Sequence, residues 1–98
     1  MGKYLTLWEV DESKVPISPQ ERGAMWGPMV DIVKENLEKG ITKDWGLFDG
    51  EMRGFSIFEG SKVELANELQ MFVPFIKFKV HAISSIDDMA EIVKALNG

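Results

Sequence analysis

The sequence predicts a single α+β domain with a four-stranded antiparallel sheet and helices on one of its faces. Three observations support this: the order strand, helix, strand, strand, helix, strand with a helical tail; a tight-turn signal between the second and third strands; and apolar–polar alternation in the last strand. This order is typical of a ferredoxin-like sandwich, here one domain over residues 1–98. Because such folds serve many unrelated functions, function has to be argued from particular residues.

The first half of the chain carries a strand and a long helix. The run from Tyr4 to Val10 is rich in aromatic and branched residues, which predicts a strand. Ser18, Pro19 and Glu21 form the signature of a helix start, and Gly40 marks the helix end. The residues that recur at helical spacing and form its apolar stripe are Trp26, Met29, Val30, Val33 and Leu37.

A glycine–proline pair, Gly27 and Pro28, lies inside this helix. A proline there removes a backbone hydrogen bond and crowds the preceding turn, at a cost of about 3 kcal/mol. The pair therefore predicts a kink or break near residues 24–27. A helix that bends over a curved sheet is the simpler interpretation, whereas a broken helix would open a pocket beside Trp26.

A β-hairpin follows. Residues 41–48 predict the second strand and residues 53–59 the third. Between them, Asp49 and Gly50 tolerate the positive φ angles of a tight hairpin turn.

The last third of the chain predicts a short helix, a strand and a tail helix. Ser61 and Glu64 form a capping box at the start of the short helix, and Pro74 ends it. In residues 76–83 apolar side chains alternate with polar ones, so one face of that strand is predicted to lie under the helices. Ser85 caps the tail helix. The polar positions of the strand include Lys77, Lys79 and His81, and the stripe of the tail helix is Met89, Ile92, Val93 and Leu96.

Composition excludes several classes of function. A net charge of −5 repels a phosphate backbone, so nucleic acid is not an expected partner. The chain has no cysteine, which removes disulfides, thiolate catalysis and cysteine-ligated metals. No signal peptide is visible, and no segment approaches the roughly 18 apolar residues of a membrane span. We therefore expect a cytoplasmic protein that makes no membrane contact.

His81 is the only histidine, and histidine is the side chain that ordinarily titrates near neutral pH. In a ferredoxin-like sheet the last strand lies beside the first. His81 is therefore predicted to form a group with Tyr4, Thr6 and Trp8 that lines a pocket or an interface. His81 is a candidate general acid/base, but an interface or partly solvated position is the simpler interpretation.

The chain has three tryptophans, which is many for its length. Trp8, Trp26 and Trp45 can form a stacking wall for a flat organic ligand, or they can simply pack a core and a dimer interface. Trp26 is the best pocket candidate because it adjoins the glycine–proline pair. No metal site and no cofactor are expected, since the acidic residues have no histidine or cysteine beside them in sequence.

Three segments carry a resemblance to known proteins: LTLWEV at the start, KDWGLFDG leading to RGFSIFEG across the hairpin, and FIKFKVHAISSIDDM near the end. The chain resembles small members of the dimeric α+β barrel superfamily that have no assigned function, over nearly its whole length. The resemblance implies a homodimer in which the open sheet faces of two subunits pack together. Relatives include cofactor-independent monooxygenases, lactone isomerases, haem-degrading enzymes and ligand-sensing domains. A haem-ligating histidine on a helix is not present, because the predicted position of His81 is on a strand.

Three hypotheses about function remain. The first is a cytoplasmic homodimer that binds a small organic molecule between helices and sheet. The second is a cofactor-independent enzyme, an isomerase or monooxygenase-like protein, that acts on a flat or cyclic organic substrate by proton transfer. In it His81 is the base, and Tyr4 or Trp26 positions the substrate. The third is a structural assembly subunit without a ligand.

Overall fold

The computed structural model describes residues 2–98 and confirms the ferredoxin-like α+β prediction. The four strands form one antiparallel sheet in the order β2-β3-β1-β4. A short 3-10 helix, Glu12–Lys14, follows the first strand. The elements in chain order are β1 (Gly2–Val10), α1 (Pro19–Glu38), β2 (Thr42–Leu47), β3 (Arg53–Gly60), α2 (Lys62–Gln70), β4 (Ile76–Ile83) and α3 (Ile86–Leu96).

The two faces of the sheet differ in character. Side chains alternate along β1, and one set is buried toward the helices: Tyr4, Thr6, Trp8 and Val10. The intervening residues of β1 lie on the opposite face, which we call the open face. The centre of the open face is apolar and consists of Leu5, Leu7, Phe55 and Ile57, all half-buried.

The hydrophobic core is small and lies between the sheet and α2. Tyr4, Phe58 and Leu65 form its buried cluster, with Ile41 and Leu69 packed against it. Helix α1 has no buried residue. Its apolar stripe therefore stands away from the sheet instead of sealing the core, which leaves a cleft between them.

Helix α1 is continuous from Pro19 to Glu38. The break considered near residues 24–27 is therefore absent and no broken helix opens a pocket, whereas the kink stays a prediction. The proline leaves the carbonyl of Ala24 without its usual helical donor. Ala24 and Pro28 are both exposed, so water can satisfy that carbonyl and the helix continues.

The other helices begin at the predicted caps. The Ser61 side chain accepts from the Glu64 amide at 3.1 Å, and the Glu64 carboxylate accepts from the Ser61 amide at 3.0 Å. Ser85 and Asp88 form a second capping box at the start of α3. Helix α2 ends at Gln70 and a turn precedes Pro74. Within residues 2–98, no helix is long and apolar enough to cross a membrane.

Candidate functional site

The candidate site is a cleft of about 320 Å³ between α1, α2 and the helix-side face of the sheet. The sheet forms its floor, the apolar stripe of α1 forms one wall, and α2 with the turn after it forms the other. A volume of about 300–1,000 Å³ is usual for small-molecule pockets. We call this the tryptophan cleft, and the side chains that characterise it are Trp8, Val10, Trp26, Met29, Val33, Trp45, Phe58, Phe72 and Phe78.

All three tryptophans line this cleft. Trp8 and Trp45 stack on the floor, with ring centroids 5.2 Å apart and planes inclined by 13°. Trp26 reaches the cleft from α1. Phe72 and Phe78 pack edge to face, with centroids 6.3 Å apart. Together with Phe58 of β3, the folded chain thus brings six aromatic rings from six separate segments onto one concavity.

The indole nitrogen of Trp26 is buried and has no hydrogen-bond partner among the described residues. The equivalent nitrogen of Trp8 is different, since it donates to the Phe55 carbonyl at 3.2 Å. A buried donor without an acceptor costs about 1–3 kcal/mol. Because water cannot reach this nitrogen, an acceptor in the cleft could recover part of that free energy only after the Trp26 side chain turns its N–H into the cleft.

A hydrogen bond ties the two helical walls together. The Asn36 side chain of α1 donates to the Glu68 carboxylate of α2 at 2.7 Å. Both residues line the cleft and both are half-buried. Nearby on α1, Lys39 forms an ion pair with Glu35 at 2.7 Å. The hydrogen bond with Glu35 raises the pKa of Lys39, and the Glu68 carboxylate adds a smaller contribution in the same direction.

Tyr4 and Thr6 face the same side of the sheet as Trp8, but they do not line the cleft. Tyr4 belongs to the core cluster with Phe58 and Leu65. Thr6 is fully buried, and its hydroxyl has no hydrogen-bond partner in the described part of the chain. Both residues therefore support the sheet floor and do not contact the cleft.

The expected grouping of His81 with Tyr4, Thr6 and Trp8 is wrong. His81 lies opposite Leu5 in the β1–β4 register, whereas Tyr4 lies opposite Ala82. Neighbouring residues of a strand point to opposite faces, so His81 is on the open face. It is exposed, on the same face as Lys79. The sheet therefore separates its imidazole from the tryptophan cleft.

Several cleft residues had no signal in the sequence. Asn36 and Glu68 come from different helices, and no spacing rule connects them. Phe58 reads as an ordinary strand residue, and its place in the cleft depends on strand register. Other cleft residues were signalled: Phe78 lies on the face of β4 that is predicted to lie under the helices, and Met29 and Val33 belong to the predicted stripe of α1.

Within residues 2–98, no group of three or more histidine, cysteine or acidic side chains is arranged to hold a metal ion. No protein-family model matches the chain, and no curated protein matches it in sequence. Function is therefore inferred from the geometry of the cleft and of the open face.

Proposed function

We propose that this protein is a cytoplasmic homodimer that binds a flat, largely apolar organic molecule in the tryptophan cleft. The observation that carries the proposal is the convergence of Trp8, Trp26 and Trp45 on one concavity. Aromatic walls with few polar groups are typical of sites that bind small organic molecules. Once turned into the cleft, the unpartnered indole N–H of Trp26 adds a chemical preference, a hydrogen-bond acceptor on the ligand.

The homodimer is supported by the open face. Its apolar centre includes Leu7 and Phe55, which no helix covers in the single chain. Large uncovered apolar surfaces on soluble domains mark sites of association. The resemblance to dimeric α+β barrels leads to the same proposal.

The enzyme hypothesis has weaker support. A general base must lie within hydrogen-bond reach of the proton it removes. His81 is on the opposite face of the sheet from the cleft, and the Glu68 carboxylate in the cleft already accepts from Asn36. Binding without turnover therefore fits the arrangement better.

Two probes of nearly identical shape test the proposal. Quinoline carries a ring nitrogen that can accept a hydrogen bond, and naphthalene does not. We expect both to shift the indole N–H signals of the tryptophans in ¹H–¹⁵N NMR spectra. Quinoline should bind about fivefold tighter, because one hydrogen bond contributes about 1 kcal/mol.

The variant Trp26→Phe keeps an aromatic wall and removes the N–H donor. It should bind both probes equally, whereas His81→Ala should retain the preference for quinoline. Equal binding of the two probes by the wild-type protein would show that Trp26 does not select an acceptor. An absence of any shift with either probe would reject the cleft as a site for flat aromatic molecules.

A further inference from the structure

Helix α3 is the least packed element of the fold. All 11 of its residues, Ile86–Leu96, are exposed. The helix nevertheless has one apolar side, formed by Met89, Ile92, Val93 and Leu96. An amphipathic helix normally buries its apolar side, and an isolated helix of this length is marginal in water. Helix α3 therefore lacks a surface that would stabilise it.

The dimensions of the chain allow a contact of the size that a stable dimer needs. Its accessible surface is 7114 Å², whereas a compact monomer of its mass, 11.1 kDa, exposes about 5,700 Å². Its radius of gyration is 16.4 Å, against about 13 Å for a compact domain of this length. The excess of about 1,400 Å² per chain includes the walls of the cleft and sets an upper bound of about 2,800 Å² for a symmetric pair. That total lies in the range of about 2,000–5,000 Å² found for obligate homodimers.

The charges of the open face and of α3 are complementary at one edge. Lys77 and Lys79 border the apolar centre of the open face along β4, and Glu9 of β1 lies opposite Lys77. In the first turn of α3, Asp88 lies at the edge of the apolar side, whereas Asp87 lies on the opposite side. Two open faces packed directly on each other would bring two lysine pairs into one interface. An α3 helix on that face would instead bring the Asp88 carboxylate to Lys79.

We propose that α3 of one copy packs its apolar side on the open face of a second copy, and that the second copy does the same in return. This rests on the proposed homodimer and names the segment that makes its contact. In a dimer with a two-fold axis, the apolar side of α3 and the open face of each chain are both covered. The open face supplies apolar side chains for the stripe of α3, and Lys79 lies beside the Asp88 carboxylate at the edge of the contact.

Cysteine cross-linking tests this arrangement directly, because the natural chain has no cysteine. Leu7→Cys lies at the centre of the open face, and Met89→Cys lies on the apolar side of α3. Under mild oxidation we expect the double variant to form a covalent dimer and each single variant to remain uncross-linked. The matched control pairs Leu7→Cys with Glu91→Cys, on the opposite side of α3, and should not cross-link.

Each other outcome overturns the proposal in a recognisable way. Cross-linking of Leu7→Cys alone indicates two open faces in direct contact. Cross-linking of Met89→Cys alone indicates pairing of the two α3 helices. An intrachain disulfide in the double variant shows that α3 folds back on its own sheet. A dimer by native mass spectrometry that does not cross-link preserves the homodimer and rejects the role of α3, whereas a monomer rejects both.

Charge substitutions test this contact. Lys79→Glu should raise the dimer dissociation constant by about two- to fivefold, the range expected for an exposed ion pair. Asp87→Lys, on the opposite side of α3 from the apolar stripe, is the control and should leave the dissociation constant unchanged. Val93→Asp, on the apolar side, should raise the dissociation constant by more than about tenfold, since it brings a charge to an apolar contact. An unchanged dissociation constant in both Lys79→Glu and Val93→Asp would reject the assigned contact.

Discussion

The indole rings of Trp8 and Trp45 stack across a strand that lies between them. They belong to β1 and β2, and β3 separates these strands in the sheet. The residue of β3 at this point is Gly54, which pairs with both Trp8 and Leu47 in the ladders. A Cβ at Gly54 would lie 2.7 Å from the Cε2 atom of Trp8. The floor of the cleft therefore depends on the absence of a side chain there.

Gly54→Ala should disturb this floor. The added methyl group would meet the Trp8 ring and the backbone of β2, and overpacking of this kind usually costs about 1–3 kcal/mol. We expect a lower free energy of unfolding in urea and a changed near-ultraviolet circular dichroism spectrum.

Gly23→Ala provides the matched comparison, because a Cβ at Gly23 in α1 meets no atom within 4 Å. Alanine favours a helix over glycine by about 1 kcal/mol, so this variant should be more stable than the wild type. If Gly54→Ala and Gly23→Ala changed the free energy of unfolding equally, a Cβ at position 54 would not clash with Trp8.

Trp45→Ala should weaken both the fold and the proposed binding. The substitution removes the stack on Trp8, and aromatic pairs contribute about 0.5–1.5 kcal/mol beyond the area that they bury. Urea unfolding should report a loss of at least that size, and the spectroscopic signature of two coupled indoles should disappear. Trp45→Phe should retain most of the stability. An unchanged spectrum in Trp45→Ala would contradict the stacked arrangement.

The elements of the fold could be predicted because their signals are local. Caps at Ser18, Ser61 and Ser85 begin three helices, and alternation in β4 gives its faces. The partners of these faces depend on strand register, which the sequence did not reveal. Alternation within β4 correctly places His81 and Phe78 on opposite faces. It does not indicate which residues of β1 lie on the same face as His81. His81 was therefore grouped with Tyr4 when it belongs with Leu5.

The cleft was predictable only in part. The sequence makes the three tryptophans candidates for the wall of a ligand site, and they do meet in one concavity. The broken helix, the alternative interpretation that would have opened a pocket beside Trp26, does not exist. The cleft exists because α1 packs loosely on the sheet and none of its residues is fully buried. Distances between packed layers are set by tertiary contacts, and no short-range pattern encodes them.

The capping box of α2 should make stability depend on pH. Hydrogen bonds with Ser61 hold the pKa of the Glu64 carboxyl below its ordinary value. A lowered folded-state pKa contributes stability above the unfolded-state pKa, about 4.3 for Glu, and loses it as pH falls through the folded value. Glu64→Gln keeps an acceptor and removes the charge. Its melting temperature should be lower than that of the wild type at pH 7, and this difference should shrink below about pH 4.3.

Glu38→Gln is the control for this effect, because Glu38 is an exposed glutamate in the last turn of α1. Its melting temperature should follow that of the wild type over the same pH range. A Glu64→Gln variant with a constant difference from pH 7 to pH 3 would show that the carboxylate charge does not contribute to the cap.

The hydrogen bond between Asn36 and Glu68 should couple the two walls of the cleft. Each group is half-buried, and hydrogen bonds to a charged partner contribute about 1.5–3 kcal/mol when protected from water. Asn36→Ala and Glu68→Ala should each lower the free energy of unfolding by about 1–2 kcal/mol. The double variant should lose less than the sum, since the second substitution removes a partner already lost.

The same double-mutant cycle should be measured for probe binding. If the bond holds α1 at its distance from α2, either substitution widens the cleft and weakens quinoline binding by a similar factor. Lys34→Ala, on the α1 wall but outside this pair, is the comparison and should change binding less. Additive effects on both stability and binding would show that Asn36 and Glu68 act independently, and that the cleft is held open by its apolar contacts alone.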